Sequence, residues 1–387
     1  MKKLIFISVL SFAFIANAQE KPKSNSFSLD EAINYALSNN YAAINSQRDI
    51  AAAKSKKWET TAMGLPQINA NLDYQNNFEL QKSLIPAQFF GGNPGEFAEV
   101  AFGTKHNMNA RTTLSQLLFD GSYIVAVQAS KTYLKFYQNS KEKTDQEVKE
   151  MVINAYGNVL LAEESILILE KNKEILEKTL FDSKETFKNG LIEEENVEQL
   201  QITLSTINSN LNNVKRLREI ALNMLKISLG LNIDDELKLK DKLDNLAVKN
   251  LDSAFTQTEF SPVQNIYYQM ALNFQEQRNL ELKLQKTKAL PSLAAVVNVG
   301  YNAFGNQFQF FTSNQKWLNY SNMGVSLSVP IFSSFARNAR TQQAKIDFDK
   351  AQINLIQTTQ KVYLELETAK VEYQYSIEEF ETSKEIL

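Results

Sequence analysis

The sequence predicts a mainly α protein in which long antiparallel coiled-coil helices are interrupted by two β-hairpins of membrane-spanning length. Three observations predict it. First, Val148, Val152, Ala155, Val159, Ala162, Ile166, Leu169, Lys173, Leu176, Leu180, Ser183 and Phe187 are spaced 4, 3, 4, 3 without a break, and only Lys173 and Ser183 are polar. A 3.5-residue period turns one stripe continuously toward a partner helix. Second, two regions change to a period of two, which places alternate side chains on opposite faces of a strand. Third, the whole plan occurs twice along the chain.

The 387 residues carry a net charge of −3, one histidine and no cysteine. Near-neutral charge argues against a nucleic-acid partner, which calls for a basic excess. Without cysteine there are no disulfides and no thiolate metal sites. Glycine and proline are scarce, at 12 and 7, so long regular elements dominate. Met1-Lys2-Lys3, the apolar run Leu4 to Ala16 and Ala16-Asn17-Ala18 read as a signal peptide over 1–18, cut before Gln19. No later stretch is expected to supply the ~18 apolar residues of a transmembrane helix. If the exported chain meets a membrane, it does so through strands.

The first repeat, 19–230, opens at Ser28-Leu29-Asp30-Glu31, a capping box in which Ser28 and Glu31 satisfy each other's backbone N–H. A short helix breaks at Asn39-Asn40, and a second runs to about Met63 and stops at Gly64-Leu65-Pro66. A hairpin over 67–118 follows. Ile68, Ala70, Leu72 and Tyr74 point one way; Gln67, Asn69, Asn71 and Asp73 point the other. After a loop, Met108, Ala110, Thr112 and Leu114 oppose Asn107, Asn109, Arg111 and Thr113. Lipid on one face and water on the other predicts this alternation, and a soluble half-buried hairpin is the simpler alternative. Leu117-Leu118-Phe119-Asp120-Gly121 then leads into a helix expected over Ser122 to Asn189, on the order of 100 Å long at about 1.5 Å per residue.

Asn189-Gly190 suits a helix end, since glycine accepts the left-handed backbone of a C-terminal cap. Glu193, Glu194 and Glu195 then fall in a first turn, where the helix dipole favours negative charge. The 3-and-4 alternation resumes through Val197, Leu200, Leu204, Ile207, Leu211, Val214, Arg218, Ala221, Leu225 and Ser228. The tip of this hairpin is Lys188 to Glu193. Residues 231–258 read as a mixed-charge connector with a weak helical pattern, and Lys238 to Asp244 as a solvated face.

The second repeat, 259–387, reproduces the plan at an offset of roughly 211 to 225 positions. A helix opens at Ser261-Pro262 and ends at Ala289-Leu290-Pro291. The hairpin 293–329 follows: Leu293, Ala295, Val297, Val299 and Tyr301 alternate with Asn298, Gly300 and Asn302, and Met323, Val325, Leu327 and Val329 with Asn322, Gly324, Ser326 and Ser328. Pro330-Ile331-Phe332 occupies the place of Leu117 to Phe119. A helix resumes with the seam Ala344, Phe348, Ala351, Leu355, Thr358 and Val362. By the internal match Leu387 corresponds to Leu176, so the second return helix is missing and the sequence reads either as a piece of a longer chain, the simpler expectation, or as a variant with an incomplete helical wall.

Leu29-Asp30-Glu31-Ala32 with Ala36-Leu37-Ser38-Asn39-Asn40, Leu65-Pro66 with Leu290-Pro291, Val329-Pro330-Ile331-Phe332, and Asn189-Gly190-Leu191-Ile192, in this order and duplicated, resemble the TolC-like outer-membrane efflux protein family. The resemblance covers nearly all of the mature chain. It implies a homotrimer in which each protomer lends four strands to a 12-stranded transmembrane β-barrel and its coiled-coil helices to an α-barrel crossing the periplasm. It further implies the outer-membrane channel of a tripartite efflux or type I secretion system in a Gram-negative bacterium. Its partners would be a periplasmic adaptor (membrane fusion protein), an inner-membrane pump and outer-membrane lipid, with no cofactor. Four strands cannot close a barrel alone, and open edges are not tolerated in hydrocarbon, so three copies satisfy the physics too. In relatives the second hairpin helps to constrict the entrance, and no gate residue can be named here because that tip lies beyond Leu387.

On this reading Ile68, Leu72, Leu114, Val297, Val299, Val325 and Leu327 face lipid. Asn69, Asn71, Asp73, Asn109, Arg111, Asn298 and Asn322 face the lumen. Asn189, Gly190, Leu191 and Ile192 form the adaptor-docking tip, since Leu191 and Ile192 fall outside the register of both helices. Pro66, Phe119, Gly121, Pro291, Pro330 and Phe332 mark the helix–strand transitions, with Phe119 and Phe332 at the inner interface. Tyr74, Tyr301, Trp317 and Tyr320 fall toward the outer strand ends, as an aromatic girdle or as packed strand ends. Catalysis finds no constellation: His106 stands alone beside Lys105 in an expected loop, and Glu193 to Glu195 lack the spacing of a cation loop. Neither a catalytic residue nor a metal ligand is expected. Two other classes stay open, a periplasmic coiled-coil adaptor and a secreted structural protein. The first would have one hairpin and a lipoyl-like domain, and the second gives no reason for Asn-rich alternating strands.

Overall fold

The computed structural model describes residues 24–249 and 260–386. The leader expected at 1–18, its cleavage site before Gln19, residues 250–258 of the connector and Leu387 lie outside the described residues. In chain order the main elements are β1 (Ser24–Phe27), α1 (Leu29–Asn39), α2 (Tyr41–Ala62), β2 (Gln67–Asn76), β3 (Lys82–Pro86), β4 (Phe97–Ala101), β5 (His106–Asp120) and α3 (Gly121–Lys188). Then come α4 (Glu194–Leu229), β6 (Glu236–Leu239), α5 (Leu243–Lys249), α6 (Ile266–Thr287), β7 (Ser292–Gly305), β8 (Trp317–Ser328) and α7 (Ala336–Ile386). The chain divides into two compact units that cut across the two sequence repeats. One comprises Met1–Ile50, Tyr137–Tyr267 and Lys361–Leu387; the other comprises Ala51–Phe136 and Tyr268–Gln360.

The helical unit is built on the expected seam. Val148, Val152 and Val159 of α3 and Leu222, Leu225 and Leu229 of α4 are buried with Ala32 and Ala36 of α1 and Tyr156. Arg218, the polar member of the α4 stripe, donates to Glu163 Oε1 at 2.6 and 3.0 Å, and Lys215 pairs with Glu170 at 2.7 Å. Advancing seven residues on α3 while retreating three on α4 is the signature of an antiparallel hairpin. By composition one window of α3 is apolar enough to cross a membrane, contrary to the sequence expectation. Within one chain 22 % of that window is buried.

The capping box forms as expected: Ser28 N–H donates to Glu31 Oε2 at 2.8 Å, and Glu31 N–H to Ser28 Oγ at 3.4 Å. The connector corrects the sequence reading. Glu236–Leu239 is a strand, not weak helix, and pairs in parallel with β1. Nor is Lys238 to Asp244 only a solvated face. Asp241 Oδ2 accepts the Leu29 N–H at 2.7 Å and lies 3.0 Å from the Tyr156 hydroxyl, which in turn lies 3.1 Å from the Phe27 carbonyl oxygen. Burial pushes the Tyr156 phenol far above the ordinary tyrosine range, because the phenolate would be stranded among apolar side chains. Lys240 donates to Glu31 and holds its carboxyl below the usual value. This lock ties α3, β1 and the connector together.

The second unit contains one four-stranded sheet of order β2-β5-β7-β8, antiparallel throughout. Each repeat supplies a hairpin, β2–β5 or β7–β8, and the central β5–β7 pair joins them. The expected simple loop after β2 contains a second hairpin, β3–β4, and the 3-10 turn Ala87–Phe90. On α7 the seam holds: Ala344, Ala351 and Val362 are buried, and Phe348, Leu355 and Thr358 half-buried.

Candidate functional site: a two-faced sheet and a helical tip

Register decides which side chains share a face. Ile68 lies opposite Leu114, which lies opposite Val297, which lies opposite Met323. Leu72, Val299, Val325 and Leu327 follow on the same side. This face carries no Asp, Glu, Lys or Arg anywhere along the four strands. Asn69, Asn71, Asp73, Asn109, Arg111, Asn298 and Asn322 all share the other face, so each of the fourteen residues assigned to a face from sequence falls in its expected group.

The polar face is a cross-strand ladder. Thr113 Oγ1 donates to Asn298 Oδ1 at 2.7 Å, and Asn298 Nδ2 to Asn322 Oδ1 at 2.9 Å. Asn109 Nδ2 donates to Asn302 Oδ1 and to the Tyr320 hydroxyl at 3.2 Å. Tyr320 therefore leaves the group of outer aromatics, because its position opposite Gly300 puts it on the polar side. Its ring lies against Gly300, where an added Cβ would approach the ring at 2.8 Å and the Ala110 carbonyl oxygen at 2.7 Å. Tyr74, Tyr301 and Trp317 share the apolar face. His106, expected in a loop, is the first residue of β5; its Nδ1 lies 2.8 Å from the Tyr74 hydroxyl. Phe308 and Phe310 meet the Tyr74 ring edge-on at 5.3 and 6.0 Å.

Much of the apolar face is open, with Ile68 71 % and Met323 73 % exposed, while at its Trp317 end Met108 and Ala303 are buried with Phe310. Among the described residues β2 and β8 are sheet edges with no strand beyond them. Such a sheet lacks the covering layer that stability in water requires.

The transitions at the sheet base are built differently in the two repeats. In the first, Leu118 is an extra residue in β5, and the shift brings Phe119 opposite Leu293, in line with Leu327 on the apolar face. Asp120 Oδ1 then accepts the N–H groups of Ser122 at 2.6 Å and Tyr123 at 3.1 Å and starts α3. At Gly121 an added Cβ would lie 2.8 Å from Leu290 Cδ1, the end of a flexible side chain, and 3.1 Å from Thr287 Cβ. Pro66 and Pro291 each stand immediately before or at the start of a strand, as expected. In the second repeat the strand ends at Ser328, and Pro330 and Phe332 lie in an irregular turn rather than in an extended β8.

The helical tip closes α3 with a Schellman motif. Leu191 N–H donates to the Thr186 carbonyl at 3.2 Å and Gly190 N–H to that of Phe187 at 2.8 Å, with Gly190 at φ 73°. Leu191 is 75 % exposed, while Ile192 is half-buried. Glu193 is the N-cap of α4, with Glu194 and Glu195 in its first turn. Among the described residues, no group of three or more His, Asp or Glu is placed to hold a metal.

Residues 268–387 match the family model described as outer membrane efflux protein. No curated protein sequence matches the chain. Among solved structures, CusC superposes with a TM-score of 0.69 at 16 % identity, covering 94 % of this chain and 80 % of its own. VceC from Vibrio cholerae gives 0.65 at 15 %, covering 89 % and 79 %. The CmeC channel of Campylobacter jejuni gives 0.62 at 20 %, covering 90 % and 73 %. Residues 268–387 thus resemble the outer membrane efflux protein family, and the described residues share the fold of the CusC, VceC and CmeC structures.

Proposed function

We propose that the protein is the outer-membrane channel of a tripartite efflux or type I secretion system, giving substrate a passive exit across periplasm and outer membrane. One observation carries this reading: a four-stranded sheet with an uncharged apolar face, an Asn-rich opposite face and two open edges. Hydrocarbon covers the apolar face, water fills the space behind the polar one, and pairing of β8 with β2 of the next copy removes every edge. Three copies give twelve strands, and their helices form an α-barrel reaching into the periplasm. The tip around Gly190 and Leu191 meets a periplasmic adaptor that connects the channel to an inner-membrane pump. The protein resides in the outer membrane of a Gram-negative cell.

Outer-membrane fractionation followed by electrophoresis with and without heating tests this directly. The expected result is a membrane-embedded band of three copies that collapses to one on boiling. Recovery of the chain in the soluble periplasmic fraction would sink the reading and favour an adaptor or structural role.

A further inference from the structure

The turn between β8 and α7, residues 329–335, has no part in forming the channel wall or the tip. Its apolar side chains are among the most exposed described: Ile331 89 %, Phe332 76 % and Phe335 75 %. They are not loosely held. Ser334 and Phe335 adopt left-handed backbone at φ 46° and 62°, a conformation that costs a non-glycine residue roughly 1–2 kcal/mol. The Arg337 guanidinium holds the turn from inside, donating to the Pro330 carbonyl at 2.7 Å, to that of Ile331 at 3.0 Å and to Ser333 Oγ at 3.2 Å. The Phe332 and Phe335 rings meet edge to face, with centroids 6.1 Å apart. The first repeat makes the same strand-to-helix change at Asp120-Gly121 without left-handed residues. Strain of this kind persists where surrounding contacts over-determine it, and here it presents three apolar side chains outward.

The position of the turn says what covers them. Trp317, Met323, Val325 and Leu327 share the apolar face of β8. Ten residues separate Trp317 from Leu327, about 33 Å of strand at ~3.3 Å per residue. At the usual tilt of ~40° this spans a height of about 25 Å, the apolar band of an outer-membrane barrel. The turn begins just past that limit, on the side away from Trp317. From Trp317 through Ala336 the chain carries no charge, and Arg337 is the first ionised side chain reached. The bulge at Leu118 sets Phe119 on the same base row, beside Leu293 and Leu327.

We propose that residues 329–335 are a membrane-interface anchor. Ile331, Phe332 and Phe335 insert at the headgroup–acyl boundary of the periplasm-side leaflet, and Arg337 is the positioning residue that keeps the turn in its inserting form. The proposal rests on the channel reading above, so its test carries a separate control for that reading.

The chain has two tryptophans, Trp58 and Trp317, which are replaced by phenylalanine in the full chain. Into this background Phe335→Trp and, separately, Met323→Trp, in a middle row of the apolar face, are introduced. The proteins are reconstituted in phosphatidylethanolamine–phosphatidylglycerol vesicles holding lipids brominated either near the headgroup or near the chain end. The Phe335→Trp emission should be quenched at least about twofold more by the shallow bromines than by the deep ones, with the reverse order for Met323→Trp. Adding Arg337→Gln should abolish the shallow quenching at position 335 and leave position 323 unchanged. Unquenched Phe335→Trp beside quenched Met323→Trp overturns the anchor: blue-shifted emission then assigns the turn to a neighbouring copy, red-shifted emission to water. Unchanged quenching with Arg337→Gln removes the positioning role. If Met323→Trp itself is not quenched, the channel reading fails first.

Discussion

At the scale of single residues, the two faces of the sheet make opposite demands. Ile68 and Val297 lie in a middle row of the apolar face. Ile68→Arg or Val297→Arg should reduce assembled channel by about 2–4 kcal/mol per site, whereas Leu327→Arg, at the base, should cost roughly 0–1 kcal/mol. Asn69→Arg points to the polar side and should be tolerated; Asn71 is a poorer control because it lies directly opposite Arg111. Heat-modifiable trimer yield reads all four, and equal sensitivity of Asn69 and Ile68 would refute the two-faced barrel. Tyr156 supplies a pH test in the helical unit. Its pKa is higher in the fold than in the unfolded chain, so its contribution is complete below the ordinary tyrosine value, about 10. That contribution is lost as pH rises through the folded value. Tyr156→Phe should cost about 1–2 kcal/mol at neutral pH by taking a hydrogen bond from Asp241 and Phe27. The measurement is amide exchange of Leu29 and β1. Protection identical to the parent at pH 7 would show that the lock contributes nothing.

Among elements, the helical tip separates conformation from contact. Gly190 has no atom within 4 Å of an added Cβ, so only its left-handed backbone opposes substitution. Gly190→Val should therefore distort the Schellman closure without a clash, at a cost of roughly 1–2 kcal/mol or more. Leu191→Asp should leave the hairpin intact, because Leu191 is already open to solvent. Both variants should lose export while the membrane-embedded trimer stays at parental level. Normal export with Leu191→Asp would mean that the adaptor docks elsewhere. At the sheet base, Gly121→Ala would need only a shift of the exposed Leu290 side-chain end and a few tenths of an ångström from Thr287. The bulge beside it shows how one inserted residue re-aims Phe119 onto the apolar side, something the alternating pattern alone cannot announce.

For the whole molecule, closure depends on edges β2 and β8, which are unpaired within one chain. The absence of native cysteine makes cross-linking clean. Cysteine pairs scanned between Asn69–Asp73 on β2 and Tyr320–Gly324 on β8 should yield a ladder ending at three copies after oxidation in the membrane. Failure at every pairing would show that the sheet is not completed by its own kind.

The 4-3 seam from Val148 to Leu180, the capping box at Ser28, the glycine tip and the grouping of alternate strand residues on shared faces followed from sequence, because each depends on local period or local backbone chemistry. Period is enough to say which side chains travel together. It does not say what lies beside them. That β5 pairs with β7, so that two hairpins separated by two long helices become one sheet, is set by non-local register. So is the pairing of β1 with β6 across more than 200 residues, which turned a charged connector into a strand and Asp241 into a half-buried acceptor. Tyr320, grouped from sequence with the outer aromatics, lies on the polar side in step with Asn322 and opposite Gly300. The two repeats looked alike at Phe119 and Phe332, yet one transition bends through a bulge and a capped helix and the other through a strained turn clamped by Arg337. Similar letters permit both solutions, and the hydrogen bonds available in the folded neighbourhood choose between them.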